Sequence, residues 1–256
     1  MRIDQLQQLK GINSPITYMS VKRNIKWDGF QLAKVNNGRV EWIESTDLKK
    51  FGEKAVKPPS QKQKPVYLGR FFEKIMTYVT PTGEIFIGGQ EYRKILSRER
   101  TTTSEGLINY EDLLLFYFDV EGKLKAQYGA CRDEMNRESK SMLTPQELIL
   151  SPDGNAIYWI YGEIGGFKKN GIFSDDWSKF SEAKLLYYPA VAKIDLGRGQ
   201  MGDFTIIGQN DTGEQVYFSH PDFSHVLSED GKQLLFLGEN KSGNQIWLGQ
   251  MNLWSK

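Results

Sequence analysis

The chain has 256 residues, with 33 Lys plus Arg against 32 Asp plus Glu and a formal net charge of +1. A chain of this length buries about three-quarters of its unfolded surface, so it needs neither a disulfide nor a metal to hold together. Near-zero net charge removes bulk electrostatics as a reason to bind nucleic acid or an acidic membrane, and the one cysteine, Cys131, excludes an internal disulfide framework and a cysteine-rich zinc site.

At the start of the chain Ile3, Leu6 and Leu9 recur at three-residue spacing before Gly11, which predicts a short helix. No apolar stretch follows Arg2, so the chain shows no secretory signal. A periplasmic or exported location would require a native N-terminus ahead of Met1. A strand is expected at Ile16 to Ser20, and Phe30–Val35 with Arg39–Ile43 read as two strands joined by a Gly-containing turn. The segment from Lys49 to Pro65 holds six lysines and three prolines with little periodicity, so a solvated connection is expected there.

From here the chain repeats itself. Three segments share an apolar strand, a turn ending in Gly, and a second apolar strand: Ile75 to Gly89, Glu147 to Ile160, and Phe223 to Leu237. Pro at the second turn position presets φ, a polar side chain at the turn bonds back to the backbone, and Gly takes the left-handed site. A second kind of hairpin alternates with the first. It comprises Phe30 to Ile43, Leu114 to Gln127, and Ala190–Leu196 followed by Asp203–Ile207, with Gln245–Leu253 supplying a single strand. The turn glycines 83, 154 and 231 lie 71 and 77 residues apart, and the excess over a minimal repeat falls in two insertions, Tyr92–Asn109 and Gly162–Lys184. The longest apolar run, Leu113–Phe118, has six residues, far short of the roughly twenty that a spanning helix needs. No direct membrane insertion is expected.

Ser151-Pro-Asp-Gly154 and Ser228-Glu-Asp-Gly231 resemble the repeats of TolB-type β-propellers, in which an apolar strand runs into Ser-Pro-Asp-Gly and then into another apolar strand. The resemblance spans roughly residues 70 to 253. Thr80-Pro-Thr-Gly83 departs from it by lacking the Asp, and the insertions are unusual for it. It implies a blade architecture and a platform for protein or ligand, and no particular chemistry.

Residues that could carry chemistry are few. Gly197-Arg-Gly-Gln-Met-Gly202 spells a dinucleotide-binding pattern, but β-branched Asp203–Ile207 follows where that fold needs a helix, so a hairpin loop is expected. His220, Asp222 and His225 could supply three metal ligands, but a regular strand sends His220 and His225 to opposite faces. Cys131 sits in the polar run Ala-Cys-Arg-Asp-Glu and is expected to be a bystander. Asp175 and Asp176 beside Trp177 have the composition of a glycoside site, and equally of a solvated loop.

The insertion after Gly162 is richest in aromatic residues among polar ones. Phe173, Trp177, Phe180, Tyr187 and Tyr188 are its candidate binding residues. The sequence therefore reads as an all-β chain, a β-propeller or partial propeller of about four blade-like antiparallel sheets, with a β-sandwich as the alternative. It is expected to be a single propeller-like domain over 1–256, with a partial blade over 1–48, a linker over 49–65 and three blade-like units over 66–256. The expected role is a non-enzymatic interaction module, without cofactor or metal, binding a protein or peptide through surface loops. A carbohydrate-active hydrolase using carboxylates is the alternative.

Overall fold

The computed structural model describes residues 29–95, 107–131, 142–169, 172–174, 184–219 and 225–253. The expected N-terminal helix and the strand at Ile16–Ser20 lie outside them. The chain forms two compact units. One holds the described residues up to Lys57 and from Gln63 to Cys131; the other holds Pro58–Lys62 and the described residues after Cys131. Both are built of β-strands, as the alternation of apolar runs and Gly turns predicts.

In the first unit β1 (Gly29–Asn36) and β2 (Arg39–Asp47) form a hairpin that turns at Asn37–Gly38, where both residues have positive φ. Four further strands, β4 (Phe71–Val79), β5 (Ile85–Ile95), β6 (Leu107–Phe118) and β7 (Leu124–Ala130), run as an antiparallel meander in chain order. This is the four-stranded unit that the two alternating hairpins predict. Its central strand β6 is buried on both faces from Leu113 to Phe118. Phe116 sits at the middle of the core, its ring 5.0 Å from that of Phe51, 5.2 Å from Phe72, 5.4 Å from Tyr67 and 5.8 Å from Phe30. Such edge-on and tilted pairs each contribute on the order of 1 kcal/mol beyond burial.

The stretch expected to be a solvated connection does more than connect. It opens with the helical turn α1 (Leu48–Glu53), whose Phe51 is fully buried, and continues into β3 (Ala55–Val56), which pairs parallel with β7. Phe51 is buried from the helical turn and Ala55 from the strand that follows it, while Lys49, Lys50 and Lys54 remain exposed. Gln127, buried on β7, completes the attachment. Its Oε1 accepts the Tyr67 amide at 2.9 Å, and its Nε2 donates to the Pro65 carbonyl at 2.8 Å.

The second unit is one continuous sheet. β8 (Gln146–Leu150), β9 (Ala156–Lys169) and β11 (Lys184–Asp195) lie antiparallel side by side, with β10 (Ile172–Ser174) continuing β8's edge. On the far side of β11 lie β12 (Gln200–Met201) and β13 (Thr205–Ile206), where Ala190 pairs with Ile206. β14 (Tyr217–Ser219) bridges β11 to β16 (Gln233–Asn240), which also pairs with β15 (Val226–Leu227) and β17 (Ile246–Asn252). The core of this unit is Ile149, Tyr158, Ile160, Val191, Leu234, Phe236 and Leu253, with the Tyr158 hydroxyl donating to the Leu253 carbonyl at 2.8 Å.

Candidate functional site

The repeated turns are the firmest link between sequence and geometry. At Ser151 the hydroxyl donates to the Asp153 carboxylate at 2.5 Å and accepts the Ala156 amide at 2.9 Å, while the Gly154 amide returns to the Ser151 carbonyl. Ser228, Asp230, Gln233 and Gly231 repeat this set at 2.7 and 2.9 Å. These bonds hold the Asp153 and Asp230 carboxyls below their ordinary range, first through the serine hydroxyl and then through a backbone amide. Thr80 does the serine's work in the divergent copy, its Oγ1 accepting the Glu84 amide at 3.0 Å. All three are structural turns whose polar groups are satisfied internally.

Of the aromatic residues singled out in the sequence, Tyr187 and Tyr188 lie on β11 beside a register shift opposite β9. Both are half-buried. Tyr187 packs over Gly162, where a Cβ would stand 3.3 Å from its ring, and Tyr188 packs against Gly165 together with Phe218. Burial, with the Glu163 charge as a lesser cause, holds the Tyr188 phenol above its ordinary range. Phe173 lies on β10 opposite Lys168. Trp177, Phe180, Asp175 and Asp176 lie outside the described residues.

The other candidates resolve into local structure. Gly197–Gly202 lies in a β-hairpin: Leu196–Gly199 is the turn, with the Arg198 N–H donating to Asp195 at 2.9 Å, and Gln200–Met201 is β12, paired back onto β11. His225 meets the Glu147 carboxylate at 3.1 Å through Nε2; His220 and Asp222 lie outside the described residues. Among the described residues no three His, Cys, Asp or Glu side chains converge as metal ligands. Cys131, expected in a polar loop, is buried at the end of β7 with its Sγ 3.7 Å from the Gln63 carbonyl.

Sequence reasoning overlooked a group of carboxylates in the first unit. Between the pairs Gln90–Leu113 and Tyr92–Tyr110, β5 contributes one residue, Glu91, and β6 two, Glu111 and Asp112. This is a bulge. Glu91 is 3% exposed, and its Oε1 has no hydrogen-bond partner. Desolvation pushes its carboxyl up to about 7, against the Leu68 amide and the Arg70 charge, which favour the ionised form. The Glu111 carboxylate takes both Arg70, at 2.9 Å, and Arg93. Glu91 is thus a buried acid beside a partly exposed carboxylate that is held by two guanidiniums.

A cavity of about 540 Å³ lies in the second unit among the amides of Gln209, Asn210, Gln215, Asn240 and Gln245 and the Tyr217 ring. Asn210 and Asn240 are used in pinning their own turns, where each side-chain oxygen accepts backbone amides.

An exposed apolar surface lies elsewhere in the second unit. On β16 and β17 the inner face is apolar, and the outer face mixes apolar residues with Gln233, Glu239, Gln250 and Asn252, Glu239 lying opposite Ile246. Leu234, Phe236, Trp247 and Met251 turn inward to the core. On the opposite face Leu237 is 37% exposed, Leu248, its cross-strand partner, 67%, and Ile246 83%, with Val226 of β15 at 61% beside Leu235. Contiguous exposed apolar side chains of this kind mark interaction surfaces.

These features define an all-β protein of curled antiparallel sheets with an exposed apolar face on its last strands. No protein-family model matches the chain, and no curated protein or solved structure matches it either. No helix among the described residues is long and apolar enough to cross a membrane.

Proposed function

We propose that this chain is a non-enzymatic recognition module, built of blade-like sheets in a propeller or partial propeller, that binds a segment of a partner protein. The observation that carries the reading is the outer face formed by Val226, Leu237, Ile246 and Leu248, apolar and exposed on strands whose inner face is already packed. The preference over a hydrolase rests on access. Glu91 is closed from solvent and Glu111 is held by two arginines, which speaks against this pair as a hydrolase's acid and base. The surface differs from the one suggested by the aromatic insertion, and it rests on strands rather than loops.

The test is selection of peptides from a displayed random library against the full chain, followed by binding to the double variant Ile246→Ser, Leu248→Ser. Both side chains are exposed, so the variant keeps its thermal transition within a few degrees. Selected peptides are expected to bind the variant at least tenfold more weakly. Failure to enrich any peptide, or equal binding to both proteins, would refute the assignment.

A further inference from the structure

We infer that the partner segment binds as an added β-strand on the edge of β17 that no described strand pairs, extended and uncharged, with apolar side chains at alternate positions. This rests on the recognition reading above and specifies its chemistry. The derivation starts from hydrogen-bond parity. The Leu253 amide donates to the Lys232 carbonyl at 2.8 Å, and the Asn240 amide to the Gln245 carbonyl at 3.1 Å. These two pairs share one register with the ladder that couples Trp247 to Gly238, Gly249 to Phe236 and Met251 to Leu234. In an antiparallel ladder, residues of such hydrogen-bonded pairs turn both backbone groups toward the partner strand, and the residues between them turn both away. Ile246, Leu248, Gln250 and Asn252 therefore direct their N–H and C=O groups to the outer edge, where β17 has no neighbour among the described residues.

The same residues whose backbone groups face outward include the two most exposed large apolar side chains among the described residues, Ile246 and Leu248. An incoming strand thus meets hydrogen-bonding groups and apolar surface at one set of positions. Natural edge strands are ordinarily blunted by Lys, by Pro, by charges or by a covering element. The run from Ile246 to Leu253 (Ile-Trp-Leu-Gly-Gln-Met-Asn-Leu) contains no charged residue and no proline. Charge complementarity consequently favours an uncharged segment, because a charged side chain placed against Leu248 would lose water without gaining a partner.

A second copy of the chain is the less complementary occupant. Full antiparallel overlap of β17 with itself sets Ile246 opposite Asn252 and Leu248 opposite Gln250, an apolar side chain against an amide at every outward position. A different strand can put Val, Ile or Leu at those positions.

The probe is an acetylated, amidated seven-residue peptide of alternating valine and threonine, titrated into the full chain labelled for amide hydrogen exchange. The amides of Ile246, Leu248, Gln250 and Asn252 are expected to gain at least tenfold protection, with those of Trp247, Gly249 and Met251 little changed. N-methylation of alternate peptide residues should abolish the effect in one parity and spare it in the other. Protection confined to other residues, insensitivity to N-methylation in both parities, or no binding would overturn strand addition. If library peptides still depend on Ile246 and Leu248 in that event, the recognition reading survives and only the mode of binding falls. Sedimentation showing that the free chain pairs with itself through these amides would also overturn the inference, by assigning the edge to a second copy.

Discussion

The Trp42 indole lies directly on Gly122, so close that a Cβ built there would stand 2.5 Å from the ring. Gly122 also has φ of +81°, in the region that L side chains rarely adopt. Two constraints therefore meet at this turn. Gly154 has a similar φ of +72° but open space where a Cβ would go. Gly154→Ala should cost about 1 kcal/mol, the left-handed penalty alone. Gly122→Ala should cost roughly 3 kcal/mol, because the indole must also move. Chemical denaturation of the two variants measures the difference; equal costs would mean that Trp42 yields freely.

The contrast shows what the sequence could and could not reveal. Gly122 and Gly154 were both legible as turn residues, because the left-handed site is a property of the backbone and its immediate neighbours. That Trp42 covers only one of them depends on pairing between segments far apart in the chain. The hairpins were readable for the same local reason. Phe51 was missed because lysines and prolines surround it, and its burial comes from rings distant in the chain, Tyr67 and Phe116. Glu91 was missed for a different reason: its burial is set by tertiary packing that its neighbours in the chain do not announce, and a lone Glu in a Gly-rich strand looks solvated. The apolar character of Ile246 and Leu248 was plain in the sequence, but that it faces outward follows only from the register with β16.

Ser151 carries more of its turn than Ser228 does. Both hydroxyls accept an amide five residues on, but Ser151 and Ala156 are buried, whereas Gln233 is exposed. Ser151→Ala leaves the Ala156 amide without its acceptor and should destabilise by about 2 kcal/mol, the usual cost of an unpaired buried donor. Ser228→Ala leaves its amide open to water and should cost well under half as much. The ratio of the two losses in urea is the measurement, and comparable losses would contradict the burial argument. The Asp153 and Asp230 carboxyls, held below their ordinary range, add stability that is present at neutral pH and fades only as pH falls below about 4.

Glu91 gives the opposite pH dependence. Its carboxyl sits at about 7 in the folded protein against 4.5 when free, so the folded chain binds the extra proton. Stability is then highest below the free value, declines as pH rises from about 4.5 toward 7, and levels off above that. The full decline is roughly 3 kcal/mol for this group. The groups bearing on Glu91 are Arg70, Asp112, Glu111 and Tyr67, and of these Arg70 alone favours the charged form. Glu91→Gln keeps the shape without the ionisation. It should flatten this part of the pH–stability curve and exceed the parent in stability at pH 8. An unchanged curve between pH 5 and 8 would show that the carboxylate is solvated.

Gln127 tests whether the stretch before β4 is held by specific bonds or by general burial. Its side chain bonds both the Tyr67 amide and the Pro65 carbonyl, and its own amide donates to the Lys54 carbonyl at 3.0 Å. Gln127→Leu preserves volume and apolar contact but leaves two buried backbone groups unpaired, which should cost about 2 to 5 kcal/mol. Gln127→Glu retains the acceptor for Tyr67 and loses the donor to Pro65, and it adds a buried charge that must protonate. Its destabilisation should therefore shrink as pH falls, while that of Gln127→Leu stays constant. Thermal melts of both variants at pH 5 and pH 8 separate the two effects. A small loss in Gln127→Leu at both pH values would mean that packing around Phe51 and Tyr67 anchors this stretch without the bonds.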